Sequence, residues 1–149
     1  MTHYYRKATY ADCFELARNL RPEDLREVEG LGHSRFAIPL SLGFSETSIS
    51  FFSKDGKLAG VAGIARQSDD IGIIWMLCTP EVQKYPVTFV REAKAWVDSI
   101  KGYKLLWNIV DQRNTIHLKL LKHLGFRAIK QRNLGPQFLS YLEIVKLCV

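Results

Sequence analysis

The stretch that decides the fold is residues 71–100, IGIIWMLCTPEVQKYPVTFVREAKAWVDSI. Ile71 to Cys78 has too few polar residues to alternate, which predicts a strand buried on both faces. From Phe89 onward the period changes: Phe89, Ala93, Trp96, Val97 and Ile100 recur on one face of a helix, with Arg91, Lys94 and Asp98 elsewhere. Glu81 to Thr88 is therefore the corner where a strand turns into a helix. Such corners hold phosphates in many α/β proteins, because backbone N–H groups and the positive end of the helix dipole converge there.

Reading outward toward the C-terminus, Gly102 stops the helix and Tyr103 to Val110 forms the next apolar strand. NTIHLKLLKHLGF is a second helix, with Asn114 as its N-cap and Gly125 as its stop; Ile116, Leu120 and Leu124 share one face with Leu121. FRAIKQR and FLSYLEIV add two strands around Asn133-Leu-Gly-Pro136. Toward the N-terminus, TSISFFS and KLAGVAGIA flank Lys54-Asp55-Gly56-Lys57, a hairpin signal. Thr9-Tyr-Ala-Asp12 opens a helix in capping-box form, with Phe14, Leu16, Ala17 and Leu20 supplying its apolar residues. Arg21-Pro22-Glu23-Asp24 opens another that Gly30 to Gly32 ends, and RFAIPLSLGF is a further short helix or packing element.

The strand–helix–strand crossover joins parallel neighbours and the flanking hairpins antiparallel ones, so the expectation is one mixed sheet with helices on both faces. With 149 residues, 47% of them hydrophobic, the chain supports one domain, 1–149. No basic-then-apolar leader opens it, and no apolar run reaches the roughly 20 residues a bilayer requires. A soluble protein made in a cytoplasm is expected. Cys13, Cys78 and Cys148, widely spaced and without a CxxC pair, suggest neither a disulfide framework nor a zinc site. The net charge of +6 is uneven: 9 Lys+Arg against 10 Asp+Glu in residues 1–75, and 12 against 5 in residues 76–149. A basic half suits nucleic acid, an anionic cofactor, an acidic partner, or merely a solvated face. Its cations are scattered, and no specific nucleic-acid motif appears.

Three segments carry a resemblance. YYRKATYADCFELA, CTPEVQKYPVTFVREA and NTIHLKLLKHLGF are similar to the opening, the acetyl-CoA corner and the last helix of the GNAT N-acetyltransferases. The resemblance, with YYRKATYAD as strand one, implies a single-domain α/β fold. Its sheet is mixed and mostly antiparallel, in the order β-α-α-β-β-β-α-β-α-β-β. LLWNIVDQRNTIHLKLLKHLGF, with IIWMLCTPEV ahead of it, further resembles the small GNAT-like proteins of short-tailed bacteriophages (podoviruses), among them an internal virion protein. That likeness covers the C-terminal half. It implies a phage origin, residence in the virion or host cytoplasm, and phage virion proteins or a host protein as partners.

Acetyl-CoA is the cofactor the resemblance implies, with Leu77, Thr79, Gln83, Lys84, Tyr85, Val87, Thr88 and Asn114 as its binding residues. In the family pattern Gln/Arg-x-x-Gly-x-Gly/Ala, Gln83 takes the first position, Pro86 the first glycine and Thr88 the second. Glycine there lets consecutive N–H groups approach the pyrophosphate. Pro86 has no N–H and is instead a good helix start. Each lost charge-assisted contact costs roughly 1.5–3 kcal/mol, about a tenfold to hundredfold loss of affinity. Lys84 and the Thr88 hydroxyl are the side chains able to reach the same anion.

The chemistry also departs from the family. A tyrosine that commonly protonates the leaving thiolate aligns with Leu121, and no acid lies within Ile71–Cys78. Glu81, the nearest carboxylate, reads as a turn residue. His117 reads as packed or hydrogen-bonded, and His123 with Lys119 and Lys122 as a solvated face. The two histidines are six apart and point to different faces, so no shared metal is expected. Cys78 reads as a buried, inert thiol, and Trp75, Trp96 and Trp107 as core. Three functions stay open: a GNAT-fold virion or assembly component with a degenerate site, an active acetyl-CoA-dependent N-acetyltransferase acting on a host protein or small amine, and an inhibitor of a host factor.

Overall fold

A computed structural model describes residues 5–148. Its sheet is built from β1 (Tyr5–Lys7), β2 (Thr47–Phe52), β3 (Leu58–Arg66), β4 (Ile71–Cys78), β5 (Leu105–Asp111), β6 (Arg127–Leu134) and β7 (Leu139–Leu147). The helices are α1 (Tyr10–Arg18), α2 (Pro22–Gly30), α3 (Ile38–Phe44), α4 (Pro86–Ser99) and α5 (Thr115–His123). Tyr4, the start of the expected first strand, lies outside the described residues. The strand order is β1-β2-β3-β4-β5-β7-β6. Only β4 and β5 pair in parallel; every other neighbour is antiparallel.

Local chemistry sets these elements where the sequence places them. Thr9 caps α1 in a reciprocal capping box with Asp12. The Asp12 carboxylate also accepts from Arg6 and from Ser50 Oγ, which fastens α1 to β1 and β2. The β2–β3 hairpin turns at Gly56, whose φ of +79° is a conformation that side chains rarely adopt. Ala93, Trp96 and Val97 of α4, Leu121 of α5 and Leu124 just after it cover one face of the sheet. Cys13, Leu16 and Ala17 of α1 and Ile38 of α3 cover the other. Helices thus lie on both faces, as expected.

Three local expectations need correction. β4 is not buried on both faces: Ile74, Met76 and Cys78 are buried under α4 and α5, whereas Ile71, Ile73, Trp75 and Leu77 are half-buried. The helices on the second face leave a cavity of about 360 Å³ over Ile73 and Trp75. Of the three tryptophans only Trp96 is buried. Trp75 Nε1 donates to Ser45 Oγ at 2.8 Å and Trp107 Nε1 to Gln67 Oε1 at 2.6 Å, so each keeps its polar edge at a partner on the surface side. Ile116, expected on the buried stripe of α5, is 56% exposed. It sits in the first turn of α5, where the sheet beneath opens.

Candidate active site

β4 has eight residues and β5 seven, yet they pair over only three positions, from Ile71↔Leu105 to Ile73↔Trp107. Beyond these the strands fork. Asn108 Nδ2 donates to the Ile74 carbonyl at 2.6 Å and closes the base of the fork. On the α4/α5 side the fork opens into a cleft of about 560 Å³, walled by Cys78, Val82, Pro86, Ile116 and Leu120. On the other side it opens into the cavity over β4, walled by Glu27, His33, Phe44 and Trp75. Met76 and His117 line both.

α2 delivers charge to this point. Asp24 and Glu27 are three apart on the helix and so share a face. Asp24 Oδ2 accepts from Cys78 N at 2.7 Å, and Arg21 N donates to the Cys78 carbonyl at 2.8 Å. The start of α2 therefore satisfies backbone groups that the fork leaves without a neighbouring strand. The Arg21 guanidinium, 5% exposed, donates to Asp24 Oδ1 and to Asn114 Oδ1, each at 3.0 Å. Asn114 Nδ2 donates to Asp24 Oδ1 at 3.0 Å and reaches Glu27 Oε2 at 3.5 Å. Glu27 Oε1 accepts from Asp111 N at 2.6 Å, and Tyr141 Oη donates to the Glu27 carbonyl at 3.0 Å.

Burial sets the proton inventory. It pushes the Glu27 carboxyl up to about 8, and the neighbouring charges of Asp24 and Asp111 add to the shift against the hydrogen bond from Asp111 N. Burial lowers His117, which keeps its imidazole neutral. Cys78 is raised well above the usual thiol range by burial and by Asp24, so it is the inert thiol the sequence suggested. Burial also opposes ionisation of Asp111, but Arg113, at 2.7 Å, outweighs it and holds that carboxyl below its ordinary range. A buried acid raised to about 8 in the lining of the cavity over β4 marks a candidate proton-transfer group.

The expected cofactor residues are distributed around this cleft unevenly. Gln83 lines it, beside Pro86. Thr79 is 4% exposed, donating to the Leu58 carbonyl at 2.7 Å and accepting from Glu81 N. Lys84 Nζ is held by Asp55 at 3.1 Å and Glu81 at 3.3 Å, and Tyr85 Oη donates to Asp55 Oδ1. Val87 is 71% exposed. Thr88 borders a smaller hollow with Phe51, Tyr85 and Glu92, and Leu77 packs toward the opposite face of the sheet. Asn114 stands at the N-cap position but makes no side-chain cap bond, because its amide is drawn into the network of Arg21, Asp24 and Glu27. Leu121 is buried beside the fork. Glu81 accepts from Ser53 Oγ at 2.8 Å in the turn, as expected.

The residues missed by sequence reasoning are Arg21, Asp24 and Glu27. The signal was present: two acids three apart on one helix face, following a cation. Locally Arg21 and Asp24 are the charges of a helix start and Glu27 has no local role, because their partners lie 54 to 93 residues away.

No family model matches the sequence, and no curated protein does. Solved structures match over the whole chain. Ard1 from Thermoplasma volcanium superposes with a TM-score of 0.77 at 14% identity, covering 100% of this chain and 99% of that one. A GNAT superfamily phosphinothricin acetyltransferase from Sinorhizobium meliloti, in complex with AcCoA, gives 0.71 at 14% identity, covering 99% and 89%. A GNAT-family acetyltransferase from Streptococcus pneumoniae gives 0.66 at 19% identity, covering 97% and 98%. The chain has the single-domain GNAT acetyltransferase fold. Acetyl-CoA is bound in one of these neighbours, and among the described residues no helix is long and apolar enough to cross a membrane.

Proposed function

We propose that the protein is an acetyl-CoA-dependent N-acyltransferase acting on a small amine or a host protein. The observation that carries this reading is the pair of pockets on either side of the β4–β5 fork that share Met76 and His117, with buried Glu27 lining one of them. The residues fit the acyl-pantetheine arm better than the diphosphate. The cleft is apolar and deep, whereas the first turn of α4 opens on Pro86 and offers only the N–H groups of Val87 and Thr88 ahead of the first helical bond, Phe89 N to Tyr85 O. Gln83 and these N–H groups would hold the anion.

Bound there, acetyl-CoA supplies a thioester whose acyl carbon the amine attacks, the N–C bond forming as the C–S bond breaks. Glu27, as the carboxylate, takes the proton that the amine nitrogen must lose. Leu121 offers no proton to the departing thiolate, which would leave as the anion and take its proton from solvent outside the cleft. His117 and the apolar walls exclude bulk water from the fork.

Titration calorimetry with acetyl-CoA, together with thiol release in the presence of amines, tests this reading. Binding plus amine-dependent thiol release supports it; no binding at millimolar acetyl-CoA removes it. Pro86→Gly with Thr88→Gly is expected to tighten acetyl-CoA binding by about tenfold or more, since one restored N–H contact to a charged group is worth roughly 1.5–3 kcal/mol. Weaker binding in this variant would show that the diphosphate does not sit at the start of α4.

A second reading is favoured by the same corner: with Pro86 in place and Lys84 already held by two carboxylates, the anion grip is poor. In that reading the protein is a bacteriophage virion or assembly component that keeps the scaffold without transfer. Phage origin and a place in the virion or host cytoplasm rest on the sequence likeness alone. So do partnerships with virion proteins or with a host factor that the protein inhibits. Affinity capture from infected and uninfected host lysates tests the partners.

A further inference from the structure

At the floor of the fork, Asp24 and Glu27 of α2 and His117 of α5 each offer one ligand atom, and these atoms lie within 4.8 Å of one another. We infer that the three form a binding site for a divalent transition-metal ion of the zinc type, held by His117 Nδ1, Glu27 Oε2 and a carboxylate oxygen of Asp24.

The independent sign of a ligand is His117. Its side chain is 10% exposed, and its Nδ1 is buried with no hydrogen-bond partner. A buried imidazole nitrogen without a partner is rare, and a metal ion is one of the few groups that satisfies it. The carboxylates show the same surplus. Asp24 Oδ1 already accepts from Arg21 and Asn114, but Oδ2 accepts only from Cys78 N. Glu27 Oε1 accepts from Asp111 N, while Oε2 has only the 3.5 Å contact with Asn114. A carboxylate oxygen has two lone pairs, so each of the three residues keeps one uncommitted.

His117 Nδ1 and Glu27 Oε2 are 3.9 Å apart, and no pair of the three ligand atoms exceeds 4.8 Å. A tetrahedral ion with bonds of about 2.0–2.2 Å separates its ligands by roughly 3.4 Å, so binding draws the three side chains together by about 0.5 Å for this pair and at most about 1.4 Å for the widest. The carboxylates of Asp24 and Asp111 face the point against the guanidinium groups of Arg21 and Arg113, and an ion there displaces the proton of Glu27. One imidazole nitrogen and two carboxylate oxygens favour zinc or a neighbouring transition ion over magnesium, which takes oxygen ligands. Asp24 and His117 both line the cleft, through which an ion can reach the site. An ion there occupies the lone pair that Glu27 would use as a base, so zinc suppresses any transfer activity. Binding of the ion itself does not depend on that activity.

The test uses the metal-free full-length chain. In calorimetry, wild type is expected to bind one Zn²⁺ and to bind Mg²⁺ far more weakly. Glu27→Gln and His117→Gln, each checked for folding by circular dichroism, are each expected to weaken Zn²⁺ binding by at least about tenfold, whereas His123→Gln, on the exposed rim, leaves it unchanged. Co²⁺ gives a second readout, an intense four-coordinate visible band in wild type that both ligand variants lose. Absence of Zn²⁺ binding in wild type overturns the inference, and so does binding that survives either ligand substitution.

Discussion

Replacing Asp24 with alanine is expected to destabilise the protein by about 3–5 kcal/mol, the scale for removing one partner of a buried ion pair. Asp24 is 1% exposed and Arg21 4%. The substitution leaves the guanidinium buried with only Glu23, at 3.4 Å, as a counter-charge. It also removes the acceptor from Cys78 N and from Asn114 Nδ2. A loss of this size is a large share of the 5–15 kcal/mol that stabilises an ordinary domain. It is read as a lower urea midpoint with an unchanged slope. Asp98→Ala serves as the contrast: it breaks the 2.9 Å pair with Lys94, whose partners are both half-exposed, and is expected to change stability by no more than about 1 kcal/mol. If Asp24→Ala costs no more than Asp98→Ala, α2 is not anchored to β4 through this carboxylate.

The contrast also shows which parts of the protein could be read from its sequence. Periodicity carried the elements: the stripe of Ala93, Trp96 and Val97 and the Asp55-Gly56 turn depend on neighbours a few residues away, and both stand where expected. Pro86 at the first turn of α4 was legible for the same reason. The burial of β4 was not, because a uniformly apolar strand reads alike whether the layer above it is filled or leaves a cavity. Nor was the site. Asn114 has the residue type and position of an N-cap, and locally that is its best role. Buried Arg21 and Asp24 take its amide instead, since a charged donor and acceptor in a low dielectric bind it more strongly than one backbone N–H. Lys84 shows the reverse error: as a lone cation at a phosphate corner it suggests an anion grip, but the β2–β3 turn brings Asp55 within 3.1 Å.

Glu27→Gln is expected to leave stability little changed at low pH and to raise it at high pH. The wild-type carboxyl titrates at about 8 in the folded protein and at its ordinary value of 4.5 when unfolded. The folded state therefore holds the proton more tightly. The stability from this group is fully present below about pH 4.5 and is lost as pH rises through about 8. A shift of this size corresponds to something on the order of 3–5 kcal/mol. Glutamine mimics the protonated acid: its oxygen can accept from Asp111 N, and its amide can donate toward the bare Nδ1 of His117. At pH 5 the variant and a metal-free wild type should be of similar stability; at pH 9 the variant should be the more stable by several kcal/mol. A difference in urea midpoint that is the same at both pH values would mean that Glu27 is ionised throughout. The same substitution separates scaffold from catalyst. If Glu27 is the base, wild-type kcat/KM for the amine rises through about pH 8, and the variant loses roughly 10²–10⁴-fold without losing acetyl-CoA binding. If the protein is only a scaffold, the stability gain at high pH persists with no transfer to lose. A variant that keeps wild-type transfer at pH 9 would place the base elsewhere, whatever its stability.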